Sequence, residues 1–373
     1  MKKILIAINF DEGLYNFRKE LLERLIAEGY EVHVAVPIGE YAGKLTAMGC
    51  ILHDTPLNRR GKNPLAELSL LRGYSDILKK VRPDVVLTYT IKPNVYLGFL
   101  CGRRQIPFIT TITGLGTAVE GQCLLQKFTK ALYRCAMKHA RIVFFQNGDN
   151  EALFTKEGIA AGRHRMLPGS GVNLAHFTYR EFPEDDGQTG YDTKAEFLFI
   201  SRVMEEKGIE QFLDAAEAIK AKYPHTTFRI LGFLEDDYTG TERLKRLADS
   251  GVVIFEGSVA DVGPYIAAAQ CTLHPSFYPE GMSNVCLETA ASGRAVITTD
   301  RSGCRDTILD GETGFLIRER DSADLIQKVE KFLQMSYDER KAMGRKARAF
   351  MEEHFDRRIV VERYLQAIRE ITE

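Results

Sequence analysis

The chain has 373 residues, of which 45% are hydrophobic and 27% charged, and its net charge is −1. That composition excludes disordered, collagen-like and coiled-coil classes, and the length predicts two domains, each large enough to bury a core of its own. No stretch approaches the roughly 18 consecutive apolar residues of a membrane span, and the seven cysteines are scattered without a C-x-x-C pair, which predicts reduced, mostly buried thiols in a cytosolic protein.

In chain order, Lys2-Lys3 opens an apolar run from Ile4 to Phe10 that stops at Asp11-Glu12. The run is too short for the apolar region of a leader peptide and reads as a buried first strand. Strands are predicted at 4–9, 31–36, 51–54, 85–88, 108–111 and 142–146, with helices at 15–28, 65–81 and 123–139 between them. Over residues 124–141, Leu124, Leu125, Phe128, Leu132 and Cys135 fall on one helical face, and Lys127, Lys130, Arg134, Lys138 and Arg141 fall opposite. A helix of that kind either packs on a core with a solvated basic face or lies against anionic lipid.

Pro168-Gly169-Ser170-Gly171-Val172-Asn173 reads as a hinge, and the polar stretch 184–193 as a surface loop near the domain junction. The alternation then begins afresh, with strands at 197–201, 227–231, 252–255, 271–274 and 295–299, and helices at 209–222, 241–249, 262–269 and 283–292. Apolar strands alternating with helices predict an α/β fold of two parallel sheets with crossover helices. The expected domains are 1–172 and 173–356, with the last helix, in 357–373, crossing back to the first. Residues 1–180 hold 25 Lys/Arg against 15 Asp/Glu, which leaves 25 against 36 for the rest. A basic first half suits an anionic ligand or surface, although drift in surface charge gives the same count. Nucleic acid is not an expected partner.

The densest chemistry lies in Tyr278-Pro279-Glu280-Gly281-Met282-Ser283-Asn284-Val285-Cys286-Leu287-Glu288, between a strand and a helix. Ser283 fits an N-cap, and Gly293 ends the helix. The N–H groups of Gly281, Met282 and Ser283 are expected to point out of the helix start, where the positive end of the dipole attracts phosphate or sugar hydroxyls. Glu280 in the loop and Glu288 more than a turn into the helix can address different parts of one extended ligand, each carboxylate accepting vicinal hydroxyls. A loop charge and a surface carboxylate are the plainer reading, but Val285, Cys286 and Leu287 surround Glu288 with apolar residues, where an unpaired carboxylate is costly.

Ser201-Arg202-Val203-Met204-Glu205-Glu206-Lys207-Gly208 follows the first strand of the second half. Ligands collect outside the carboxyl ends of parallel strands, so Arg202 and Lys207 are placed to meet an anion and to stabilise a departing diphosphate. Gly13 by itself reads as an ordinary strand-to-helix turn, and Gly114-Leu115-Gly116 lacks the third glycine of a dinucleotide fingerprint. No D-x-D ends a strand, so neither a metal nor another cofactor is expected.

Together, the S-R-x-x-x-x-K-G segment, the Glu280 to Glu288 segment and the Pro-Gly-x-Gly-Val-Asn hinge with Phe177 resemble the family-4 retaining glycosyltransferases over nearly the whole chain. The resemblance implies a GT-B fold, two Rossmann-like domains facing a cleft, with a nucleotide-sugar donor held mainly by the second and the acceptor by the first. It implies that Arg202 and Lys207 hold the diphosphate of a UDP-sugar, Glu288 the ribose, and Glu280 with the amides of Gly281, Met282 and Ser283 the transferred sugar. It also puts Gly13 where backbone approaches the donor phosphates. Many members carry a His in the first domain that touches the donor sugar. The matching stretch here, Thr111-Ile112-Thr113-Gly114-Leu115-Gly116, has none, which leaves its task to backbone or to Thr113.

Thr88-Tyr89-Thr90-Ile91-Lys92-Pro93-Asn94 and Thr113 to Gly116 are similar to a narrower branch, which extends glycans carried on polyprenyl diphosphate in bacterial surface polysaccharide or glycoprotein synthesis. That implies a lipid-linked acceptor, a protein peripheral on the cytoplasmic membrane face, and Arg59, Arg60 and Lys62 as candidates for the acceptor diphosphate. A nucleotide-sugar 2-epimerase of the same fold and a non-catalytic sugar- or lipid-binding subunit are the rival expectations.

Overall fold

The computed structural model describes residues 1–55, 57, 64–115, 124–184 and 194–372. By its contacts the chain forms two compact units: Met1–Gly171 with Pro279–Met282 and Arg357–Glu373, and Val172–Tyr278 with Ser283–Asp356.

The first unit holds strands β1 (Lys3–Ala7), β2 (Glu31–Val36), β3 (Ile51–Asp54), β4 (Val85–Tyr89), β5 (Phe108–Ile112), β6 (Ile142–Phe145) and β7 (His164–Met166). They form one sheet in the order β3-β2-β1-β4-β5-β6-β7, parallel throughout. Its helices are α1 (Asp11–Ala27), α2 (Ala42–Ala47), α3 (Pro64–Val81), α4 (Gly98–Arg104), α5 (Leu124–Ala136) and α6 (Gly148–Lys156). Strands covered on both faces must be apolar on both. Ile4 and Ile6 accordingly join one core, with Leu14, Leu21 and Leu25 of α1, while Leu5 and Ala7 join the other, with Tyr74, Tyr133 and Phe154.

The second unit holds β8 (Glu196–Ile200), β9 (Thr227–Leu231), β10 (Ile254–Gly257), β11 (Cys271–His274), β12 (Ala295–Thr299) and β13 (Gly314–Ile317), in the order β10-β9-β8-β11-β12-β13. Around them lie α7 (Ile209–Lys222), α8 (Thr241–Asp249), α9 (Gly263–Ala268), α10 (Asn284–Ala291), α11 (Ser322–Gln334) and α12 (Tyr337–His354). Phe197, Phe199, Phe212 and Phe228 pack on one face of this sheet, and Leu198, Ile200, Leu231 and Ile266 on the other. The chain returns to the first unit as α13 (Arg357–Thr372), where Tyr364 packs on Phe144 and its hydroxyl bonds Thr111 Oγ1 at 2.6 Å.

Each sheet has a switch point, between β1 and β4 in one and between β8 and β11 in the other, where successive connections leave in opposite directions and open a crevice at the strand ends. Strands β7 and β13 were not anticipated from the sequence. His164-Arg165-Met166 has no apolar run to announce it, and β13 follows a Gly-rich turn that masks its four residues. The cysteines Cys50, Cys101, Cys271, Cys286 and Cys304 are buried thiols outside any disulfide, and Cys135 is an exposed one. Burial raises the Cys50 thiol to about 11 and the Cys101 thiol to about 12, which keeps both protonated and unreactive.

Candidate functional site

In the second unit the switch point brings together the two segments that follow β8 and β11. Arg202 stands two residues beyond β8, its Nη1 2.5 Å from Glu235 Oε1 and its guanidinium carbon 5.7 Å from the Tyr278 ring centroid. Lys207 Nζ lies 4.9 Å from the same centroid. Glu235 offsets one of the two positive charges gathered on this ring, and an anion bound beside the ring would meet both cations. The turns are held by close backbone approach. Gly208 has φ +79°, and a Cβ there would stand 2.1 Å from the Pro275 carbonyl oxygen; a Cβ on Gly232 would stand 1.8 Å from that of Ser201. Phe277 N–H donates to the Glu206 carbonyl at 2.9 Å, tying the two segments together.

Ser283 caps α10 as expected, its Oγ accepting from Cys286 N–H at 3.4 Å and bonding His274 Nε2 at 3.1 Å. Its own N–H is not available to a ligand, however, because it donates to the Gly303 carbonyl at 2.8 Å. The expectation of three outward amides is corrected at that residue. Glu288 is the fifth residue of α10 and half-buried, with Cys286 and Leu287 beside it fully buried.

The remaining predicted residues that are described lie in the first unit. Pro279–Met282, read from sequence as part of the second domain, is grouped here by its contacts. Asn147 Nδ2 donates to the carbonyls of Glu280 and Gly281 at 2.9 and 2.5 Å while Asn147 Oδ1 caps α6. A Cβ on Gly281 would stand 2.4 Å from Gln146 Oε1 and 2.6 Å from the Thr113 carbonyl oxygen, so only glycine allows that approach. Thr113 therefore meets the Gly281 backbone through its own backbone. Glu280 is half-buried and Met282 buried. Gly13 lies inside α1 and not in a loop; the Phe10 ring fills the place of a Cβ, with Phe10 Cζ only 2.2 Å from it. Arg59, Arg60, Lys62 and Gly116 lie outside the described residues.

Helix α5 departs from the expected two-faced pattern. Among residues 126–136, whose side chains are described, Thr129, Tyr133 and Ala136 are buried and Leu132 is half-buried against the core, whereas Phe128 is 61% exposed and Cys135 is exposed; the Leu124 and Leu125 side chains lie outside the described ones. At 100° per residue the helix has three faces: one packed, one carrying the exposed Phe128 and Cys135, and one basic. On the basic face, Lys130 and Arg134 pair with Glu157 at 3.2 and 3.1 Å, and Lys127 and Lys138 are exposed. Among the described residues no helix is long and apolar enough to cross a membrane, and no three His, Cys, Asp or Glu side chains group in a way that could hold a metal ion.

Sequence reasoning missed Tyr278 and Glu235 as parts of the cation site. Tyr278 opens the quoted loop, and its aromatic ring beside a proline was the available signal. Glu235 lies in an acidic loop, Glu235-Asp236-Asp237, that does not identify which carboxylate turns inward.

Comparison with known proteins matches the family described as "Glycosyl transferases group 1" over residues 194–335 and the family described as "Glycosyl transferase 4-like" over residues 3–147. The chain is 26% identical, over 95% of its length and 95% of the relative's, to the N,N'-diacetylbacillosaminyl-diphospho-undecaprenol alpha-1,3-N-acetylgalactosaminyltransferase of Campylobacter jejuni. It is 28% identical to the capsular polysaccharide biosynthesis glycosyltransferase CapM of Staphylococcus aureus over 44% of this chain and 43% of that one. Among solved structures, a glycosyltransferase from Rickettsia africae superposes with a TM-score of 0.81 at 19% identity, covering 100% of this chain and 99% of that one. Anabaena HepE in complex with UDP superposes with a TM-score of 0.78 at 15% identity, covering 99% and 100%.

Proposed function

The chain belongs to the family-4 glycosyltransferases of GT-B fold, and we propose that it transfers a hexose or N-acetylhexosamine from a UDP-sugar, with retention and without a metal ion, to a glycan carried on polyprenyl diphosphate. The observation that carries this reading is the convergence of Arg202 and Lys207 on the Tyr278 ring at the switch point of the second sheet. Charge builds on a diphosphate as its glycosidic bond breaks, and preorganised cations stabilise that charge without reorganising. In this reading Arg202 and Lys207 hold the diphosphate, Glu288 accepts from the ribose hydroxyls, and Glu280 with Gly281 and Met282 positions the sugar. The acceptor hydroxyl attacks from the face the diphosphate leaves. The lipid-linked acceptor is supported by the whole-length likeness to the Campylobacter enzyme, whose name specifies a diphospho-undecaprenol substrate.

The exposed Phe128 of α5, with Lys127 beside it and Lys138 just beyond the helix, supports a working position at the cytoplasmic face of an anionic membrane, since an interfacial helix needs both apolar and basic groups toward lipid. A donor screen tests the reading. Purified protein is incubated with a panel of nucleotide sugars, with and without a polyprenyl-diphosphate glycan, and released nucleotide is measured. UDP release that depends on acceptor is expected. Release without acceptor would instead indicate an epimerase, and donor binding without turnover a non-catalytic subunit.

A further inference from the structure

The switch point of the first sheet carries an arrangement that the reading above does not use. Arg18 lies on the core side of α1 and is 3% exposed. Helical side chains lean toward the helix N-terminus, and α1 begins directly beyond β1, so the guanidinium is carried back to the strand ends. There it stacks 5.0 Å from the ring centroid of Tyr89, the last residue of β4. Its Nη1 donates to the adjacent Phe17 carbonyl at 2.7 Å, its buried Nε has no hydrogen-bond partner, and among the described residues no carboxylate reaches it. The Tyr89 hydroxyl, buried beside Arg18 and Tyr364, also makes no hydrogen bond of normal geometry, and neither does the buried Oδ1 of Asn9, two residues beyond β1. Thr90, the next residue after Tyr89, is β-branched yet has φ +64°, and its Oγ1 is turned onto the Tyr89 carbonyl at 2.5 Å. Strained backbone of this kind persists where surrounding structure imposes it, most often at binding sites.

The chain contains its own control. Arg294, 1% exposed in the second unit, donates to the carbonyls of Ala269, Arg180, Ser292, Gly293, Glu181 and Ala267. Of these two arginines, Arg294 is saturated with acceptors and Arg18 is not. A desolvated cation with unused donors lowers stability, and this one lies against the last residue of β4, at the strand ends where parallel sheets collect ligands. Its planar fork and the phenolic O–H present converging donors, a set suited to the several oxygens of a phosphoryl group.

We propose that Arg18, with the Tyr89 hydroxyl, binds a phosphoryl group of a substrate at the carboxyl ends of β1 and β4. The proposal rests on the transferase reading, in which both the UDP-sugar and the polyprenyl-linked acceptor carry a diphosphate. Isothermal titration of the full chain with inorganic diphosphate tests it. Two sites are expected in the parent, one lost in Arg18→Met and the other in Lys207→Ala. Unchanged stoichiometry and affinity in Arg18→Met would overturn the proposal, whereas two sites surviving in Lys207→Ala would count against the donor site alone. Steady-state kinetics then identifies the source. A rise in KM of about tenfold or more for the lipid-diphosphate acceptor is expected, with the KM for the UDP-sugar unchanged because Arg202 and Lys207 hold the donor diphosphate; an unchanged acceptor KM overturns the proposal. Arg18→Met is expected to melt no lower than the parent. Arg18→Lys, which keeps the charge and loses the fork, provides a second variant with an intermediate loss of diphosphate affinity.

Discussion

Arg294 and Arg18 are buried almost equally, one in each unit, and only the first is satisfied. Six backbone carbonyls surround Arg294, and burial alone lowers its guanidinium to about 10, well below the usual arginine range. Arg18 has one neighbouring carbonyl and an aromatic ring. The same side chain at similar depth thus serves two ends. In the second unit it stitches the ends of β12, α9 and α10 to residues 180–181, and in the first it waits with donors unused at a sheet switch point.

The largest effect that would break this contrast is on stability. Arg294→Met leaves six carbonyls short of a donor and is expected to destabilise by about 3–5 kcal/mol in denaturant unfolding, the range for removing one member of a buried charged network. A loss below about 1 kcal/mol would mean that carbonyl satisfaction does not separate the two arginines. Next comes catalysis. Lys207→Ala or Glu288→Ala should lower kcat by roughly 10²- to 10³-fold with an unchanged circular dichroism melt, and near-parental turnover in either would remove the site assignment.

A smaller effect concerns the exposed charges of α5 and of the turn after it, which unlike the buried arginines act only through a surface. Lys127→Glu with Lys138→Glu should weaken flotation with anionic liposomes by about 1 kcal/mol per charge while sparing activity on a soluble acceptor analogue. Lys130 and Arg134 are poorer choices, because they already pair with Glu157.

The smallest effect is a pH dependence at a third part-buried basic cluster. His33 Nδ1 lies 2.9 Å from His53 Nε2, and His33 Nε2 lies 2.7 Å from Glu31 Oε1, with Lys3 beside that carboxylate. Burial, then the positive charge of His33 and of Lys80, hold the His53 imidazole below its usual value. A folded-state value below the unfolded one means the contribution is present above about pH 6.5 and is lost as pH falls through the lower folded value. His53→Gln should therefore flatten the acid side of the stability profile measured by urea unfolding from pH 7 to pH 5.

Much of the architecture was legible because parallel strands buried on both faces must be short apolar runs, and 31–36, 51–54, 227–231, 271–274 and 295–299 coincide with β2, β3, β9, β11 and β12. The cation pair was legible too, since Arg202 and Lys207 follow a strand and precede a helix. Arg18 left a trace of its own: with Leu14, Leu21 and Leu25 it occupies the apolar stripe of α1, a charge where the period demands a hydrophobe. Nothing in that spacing says whether the charge is satisfied.

What the amino-acid order determined by itself was therefore the alternation of strands and helices, the cap at Ser283 and the family to which the chain belongs, because these depend on local periodicity and short motifs. Tertiary structure alone decided that Gly13 lies within a helix under the Phe10 ring, that the Ser283 amide is spent on Gly303, that Phe128 of α5 is exposed, and that one buried arginine has six acceptors and another has one. Those outcomes depend on which groups distant segments bring within about 3 Å of one another, and no local pattern encodes that distance.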